Sequence, residues 1–354
     1  MKLSLLPLLW IVACAGGNSD SAGGEWSPLG MGDGSVNSVG WTYILGPDEK
    51  LDDPRDLGFD SSGNLWVANR EDDRTFIISG PGTDSQEYER RKDGYAEHFM
   101  EETAALSFDD GTQFASCGES NNTYNDAATG NGYMGPVLWT TDLNVFAEEN
   151  PMGLGSHLDM LHDSPYCVGI AWEAGNVYWA FDGKHDAIVH YDFQADHGVG
   201  MDDHSDGIIH QLSEPEVARV EEAPGHMIYD ASTGLLYVAD TGNGRILWID
   251  TSTGSEGDSM MANDPGVVRV SWDGADWGEL STDFEQPGAL AFDGLNLYVG
   301  DWATGLITQL DLHGTAVRTL ETDFGAQELY GIEIGPDGLL WVIDNATGVY
   351  RIDP

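Results

Sequence analysis

Residues 235–249 read Leu235-Leu236-Tyr237-Val238-Ala239-Asp240-Thr241-Gly242-Asn243-Gly244-Arg245-Ile246-Leu247-Trp248-Ile249. An apolar run of strand length carries one aromatic ring and ends in Asp. A turn of Thr, Gly and Asn follows, and a second apolar run begins. Two such runs divided by turn formers read as antiparallel strands. A further apolar run, Met227-Ile228-Tyr229, stands just upstream, so this unit holds at least three strands.

The pattern recurs along the chain. Its second strand appears as Asn64 to Asn69, Thr112 to Cys117, Asn176 to Phe181, Leu235 to Asp240, Asn296 to Asp301 and Leu339 to Asp344, with the aromatic at Trp66, Phe114, Tyr178, Tyr237, Tyr298 and Trp341. Steps of roughly 43 to 64 residues separate them, the signature of a repeat architecture whose insertions map to loops. Each is preceded by an apolar strand: Leu57 to Phe59, Ala105 to Phe108, Val168 to Trp172, Met227 to Tyr229, Ala289 to Phe292 and Gly331 to Ile334. Turns such as Asp60-Ser61-Ser62-Gly63 and Gly335-Pro336-Asp337-Gly338 lie between the two. Six units of about four strands predict an all-β, six-bladed β-propeller over residues 41–354. The last unit ends after its third strand, and Gly40 to Leu45 can supply the fourth, hiding both open edges. The recurring aromatics are expected to fill the space between blades. Asp240, Asp301 and Asp344 are expected to accept turn N–H groups. Units two and three carry insertions at 118–135, 142–165 and 193–206.

The strand pattern, the Tyr/Trp-Val-Ala-Asp endings and the Thr/Asn-Gly turns resemble NHL-repeat propellers. Among these, the chain is weakly similar to peptidyl-hydroxyglycine amidating lyases. That resemblance implies axial histidines on zinc with an Arg and a Tyr nearby. His226, after Pro224-Gly225 at an inner-strand start, is similar to one such ligand position; Arg55 and Tyr166 (or Tyr330) match the other roles. The matching starts in units two, five and six carry Ala105, Ala289 and Gly331 instead of His.

Composition narrows the function. The 354 residues include 61 Asp+Glu and 14 Lys+Arg, a net charge of −47. Such a chain cannot bind nucleic acid by neutralising phosphates, and anionic lipid surfaces repel it. With 41% hydrophobic and 10% aromatic residues it can nonetheless bury a core, so the acid does not mean disorder. No P-loop, dinucleotide fingerprint or nucleophile elbow is present, and no nucleotide or organic cofactor is indicated.

The N-terminus reads as an address. Lys2 precedes a ten-residue apolar run, Leu3 to Val12, and Ile11-Val12-Ala13-Cys14 resembles a bacterial lipobox. Residues 1–13 are expected to be a signal peptide, Cys14 the lipidated residue, and 14–40 a flexible tether. That places the domain in the bacterial cell envelope, at the outer membrane or cell surface, as a lipid-anchored monomer. Cys117 and Cys167, the remaining cysteines, can pair in an exported protein or stay as buried thiols.

Propeller geometry sorts the histidines by face. His98, His157, His162, His185 and His226 are expected on the face where inner strands begin, with Arg55, Asp56, Tyr166 and Tyr330. His197, His204 and His313 are expected on the opposite face. Asp56 and His226 occupy matched starts on opposite sides of the axis. His226, His162, Asp56 and His185 are therefore candidate ligands of an axial divalent ion such as zinc, with Arg55 and Tyr166 as candidate catalytic residues. The alternative is a water-filled channel mouth with unliganded histidines. In the loop 195–207, Asp202, Asp203 and Asp206 are candidate calcium ligands, although the spacing is not that of an EF-hand. Two function classes follow: a propeller that binds a small molecule, peptide or protein at its axial funnel, or a metal-dependent lyase or hydrolase.

Overall fold

A computed structural model describes residues 26–122, 130–148 and 153–354. The segment 1–25, with the expected signal peptide and Cys14, lies outside the described residues.

Six sheets, each with an antiparallel core of four strands, form the blades of a β-propeller. Their innermost strands are Pro54–Phe59, Thr103–Phe108, Cys167–Ala174, Met227–Asp230, Pro287–Phe292 and Leu329–Ile334. Each runs through a short turn into the aromatic-bearing second strand. The six rings, Trp66, Phe114, Tyr178, Tyr237, Tyr298 and Trp341, are at most 2% exposed. They bridge blades as expected: Trp66 of blade one packs against Phe114 of blade two, and Phe59 of blade one against Trp341 of blade six. Three rings also anchor a polar tip on the preceding turn. Trp66 Nε1 donates to Asp60, Tyr298 Oη to Asp293 and Trp341 Nε1 to Asp337. A buried ring with a polar atom needs such a partner, which explains the Asp in each of these turns.

The ring closes as the sequence implies. Gly40–Leu45 pairs antiparallel with Gly348–Asp353 and completes blade six. Asp240 accepts the Ala218 N–H, and Asp301 and Asp344 accept N–H groups of their own turns, at Ala303 and Ala346.

Three features depart from expectation or add to it. Residues 27–39 are not a free tether. Leu29 is fully buried beside blades five and six, Ser27 Oγ donates to Gln309, and Gly34 O accepts the Glu321 N–H. Enough apolar surface and backbone pairing are gained there to offset the cost of ordering the strap. Second, a hairpin inserted in blade four, Ser255–Met260 and Val268–Asp273, crosses over to extend blade three to six strands. Val268–Asp273 pairs parallel with Ile208–Leu212. Third, Cys117 in the second strand of blade two is disulfide-bonded to Cys167 in the first strand of blade three.

Candidate functional site

The face where the inner strands begin is closed over the axis. The segment 219–223, between blades three and four, lies across it. Glu222 O accepts from Arg55 Nη1 of blade one at 2.6 Å, and the Glu222 N–H donates to Glu119 of blade two. Arg219 pairs with Glu119 and stacks over the Tyr166 ring. Ala223 is buried in one cluster with Leu57, Trp302 and Tyr330. Arg55, 5% exposed, is fixed between Asp53, Glu222 and the Tyr330 ring. Arg55 and Tyr166 are thus plug-holding residues rather than groups facing an open funnel. The expectation of a binding funnel on this face is corrected: a chain crossing hydrogen-bonded to blades one and two fills it.

The axis is hollow beneath this plug. A cavity of about 380 Å³ runs between the inner strands. Its lining includes the downstream turn residues Asp60, Gly335 and Pro336, so its mouth lies on the face where inner strands end. Apolar side chains, Leu57, Phe59, Phe108, Ile170, Ile228 and Ile332 among them, share the walls with polar groups. Four titratable groups interrupt that wall: Asp60 at the mouth, and Asp56, His226 and Glu333 deeper along the inner strands.

Asp56 and His226 meet as their matched positions implied, with Nδ1 3.6 Å from Oδ1. Asp56 accepts the Leu57 N–H through Oδ1 and the Leu106 N–H through Oδ2, both at 2.8 Å. Burial nevertheless wins over those two hydrogen bonds and pushes its pKa up to about 8. Glu333 is half-buried by surface area but walled in on its sides. Burial first, then the charge of Asp56, raises it to about 8, against the lowering contact of the Ile334 N–H. His226 is pulled the other way, to about 4, because burial disfavours its cation. Its Nε2 has no hydrogen-bond partner. Burial thus disfavours the charged form of all three groups, raising both carboxyls and lowering the imidazole.

The remaining histidines do not reach the axis. His162 is buried at the blade two–blade three edge, with Nδ1 on Asp264 at 2.9 Å and Nε2 3.3 Å from His98 Nε2. Its ring stacks on Tyr133 and meets His204 at 5.5 Å. His157 stacks on Phe99 and donates through Nδ1 to Leu154 O. His185 is held by Asp182 and its side chain is 42% exposed. The assignment of His197 and His204 to the face opposite His162 is therefore corrected. The 193–207 loop climbs the outer edge of blade two, where Gly200 exchanges two backbone hydrogen bonds with Leu154 and His157. There His204 Nδ1 lies 2.6 Å from Asp159, and His197 Nε2 lies 2.7 Å from Asp206. Of the expected calcium ligands, Asp206 joins this cluster, whereas Asp203 caps Ser205 in an exposed turn and Asp202 is exposed.

An axial zinc site of the kind the resemblance implies does not fit these residues. One imidazole reaches the axis, and both Asp56 oxygens serve backbone N–H groups. Among the described residues, the one trio of metal-ligating side chains within 4.8 Å of one another is Asp159, His197 and Asp206, away from the axis. The blade-four hairpin and Asp264 carried no signal by motif. The cluster they help to build could have been anticipated only from the density of His and Asp in 157–163 and 196–206. Glu333 was missed because it looks like one more outward residue in an alternating strand.

No family model and no curated protein matches the sequence. Solved structures match the fold. The chain resembles regucalcin from Agrobacterium tumefaciens, titled a calcium-binding protein, at TM-score 0.53 and 13% identity over 88% of this chain and 93% of that one. It resembles virginiamycin B lyase from Staphylococcus aureus at 0.52 and 12%, over 89% and 99%. An auxiliary nutrient binding protein from Bacteroides ovatus matches at 0.53 and 14%, over 89% and 76%. At these identities the likeness is one of fold.

Proposed function

We propose that this propeller is an envelope-displayed binding protein that takes a small organic cation, an amine with an apolar body, into its axial channel. The carrying observation is the pair of carboxyl groups, Asp56 and Glu333, set among apolar side chains in the axial cavity, where burial raises both pKa values. Its volume is at the lower end of the range for small-molecule sites. An entering ammonium would supply the positive charge that burial denies these carboxyls, so each would ionise on binding and release its proton. The net charge of −47 draws cations toward the mouth. The apolar side chains would cover the ligand's carbon skeleton. Lipid anchoring through Cys14 would hold the domain at the membrane; Cys14→Ala should move the protein from the membrane to the soluble fraction of its host.

The test is calorimetry with a panel of primary alkyl and aryl amines at pH 7. The expected result is saturable binding to the full chain, lost in Glu333→Gln. Binding that ignores this substitution would refute the site.

The opposite pKa shifts of Glu333 and His226 favour one second reading, proton transfer between a bound substrate and these groups, since titratable groups pushed apart mark acid and base roles. Turnover of a bound compound, with a bell-shaped pH profile, would distinguish a lyase or hydrolase from a binder.

A further inference from the structure

The edge of blade two holds a second constellation that the axial reading does not use. Asp159 lies in the short outer strand Asp159–Met160, which pairs with Val137–Thr140. It is 1% exposed. One oxygen takes the His204 contact, while Oδ2 is buried with no hydrogen-bond partner. A carboxylate oxygen stripped of water and left without a donor is costly unless a cation supplies the missing partner. A His197 ring nitrogen and an Asp206 oxygen lie within 4.8 Å of an Asp159 oxygen and of each other. His197 is one-fifth exposed and Asp206 more so, which leaves an entry path from solvent.

We propose that Asp159, His197 and Asp206 form a divalent transition-metal site, zinc being the first candidate, that clasps the 193–207 loop to the outer strand of blade two. The donor set decides the metal class. Calcium takes six to eight oxygen ligands. Here an imidazole nitrogen stands among two carboxylates, a mixed set that suits zinc and its neighbours. The three side chains leave room for water or a further ligand. His204 acts from behind: its Nδ1 contact on Asp159 orients that carboxylate, the outer-shell role that imidazole and carboxylate partners commonly play. Asp202 and Asp203 contribute no ligand.

The site joins segments far apart in sequence. Asp159 belongs to blade two, and His197 and Asp206 to the connection between the third and fourth strands of blade three. The blade-four hairpin abuts the same place through Gly207, whose carbonyl accepts the Val268 N–H. A bound ion would therefore stiffen the edge where three blades' insertions meet, independently of ligand entry at the axial mouth.

The test uses the full chain, stripped with chelator and desalted, titrated with zinc chloride and, separately, calcium chloride. Uptake is read by calorimetry and by the thermal midpoint. One zinc per chain is expected, with a raised midpoint, and with calcium bound more weakly. His197→Gln should abolish both effects while keeping the apo midpoint near wild type, since the side chain is partly exposed. His204→Gln should weaken zinc affinity by about 10- to 100-fold. His185→Gln, at another turn, should change nothing. Zinc uptake unaltered in His197→Gln, calcium bound more tightly than zinc, or no zinc uptake by the wild type would each overturn the proposal.

Discussion

The axis and the edge of blade two treat their polar side chains in opposite ways. At the edge, imidazoles and carboxylates meet in pairs: His162 with Asp264, His204 with Asp159, His197 with Asp206. At the axis, Asp56, Glu333 and His226 are enclosed with little compensation, and burial dominates every shift. Two regions rich in the same residue types therefore differ in what they lack. The edge leaves Asp159 Oδ2 without a donor, a partner that a metal ion can replace. The axis lacks charge compensation altogether, which a ligand cation can bring.

That contrast can be broken most forcefully at Asp56. Replacing it with Ala orphans two backbone N–H groups in the channel floor, and each unsatisfied buried donor costs about 1–3 kcal/mol. Asp56→Ala should therefore lower unfolding free energy by roughly 2–4 kcal/mol in urea titrations. A loss below half a kcal/mol would mean that channel water satisfies these groups and the floor is wet.

Glu333 gives the next largest effect, and its sign depends on pH. A carboxyl raised to about 8 in the folded chain binds a proton that the unfolded chain has already released. Its contribution is present below the unfolded pKa and is lost as pH rises through 8. Glu333→Gln keeps an acceptor for the Ile334 N–H and should flatten that decline. The variant should gain on the order of 1–2 kcal/mol over wild type at pH 8.5, after allowance for screening by channel water. A parallel pH profile in the two proteins would contradict the burial argument.

His226 shifts the other way. Held neutral down to about 4, it costs stability as pH falls from its unfolded value near 6.5 through 4. His226→Leu should remove this acid-side loss while lowering stability at pH 7 by no more than about 1.5 kcal/mol, the hydrogen bond to the Ala104 backbone being given up. An unchanged acid limb would show that the imidazole is protonated in the folded state. At the bottom of the scale, His185→Gln should stay within about 0.5 kcal/mol at any pH, as surface changes do.

The propeller itself was legible because its signals are local and repeated. A ring on every second strand and a Gly-bearing turn before it recur in six units, an Asp opens four of those turns, and Gly40–Leu45 has no partner other than the last blade. The pairing of Asp56 with His226 was legible too, since matched inner-strand starts face each other in a closed ring. What escaped was set by long connections. The plug at 219–223, the strap at 27–39 and the hairpin at 255–273 have no repeat to betray their path. They decide which face is open and which histidines meet. The face assignment of His197 and His204 failed for that reason: a loop spanning 193–207 is long enough to leave the face on which it starts.

The most direct test of the account is a proton count. Binding of a primary amine to the full chain at pH 7 would be measured by calorimetry in buffers of different ionisation enthalpy. The account predicts net proton release on binding, reduced or abolished in Glu333→Gln. Binding with no proton release, or with proton uptake, would show that the axial carboxyls are already ionised and would contradict the cation-binding channel.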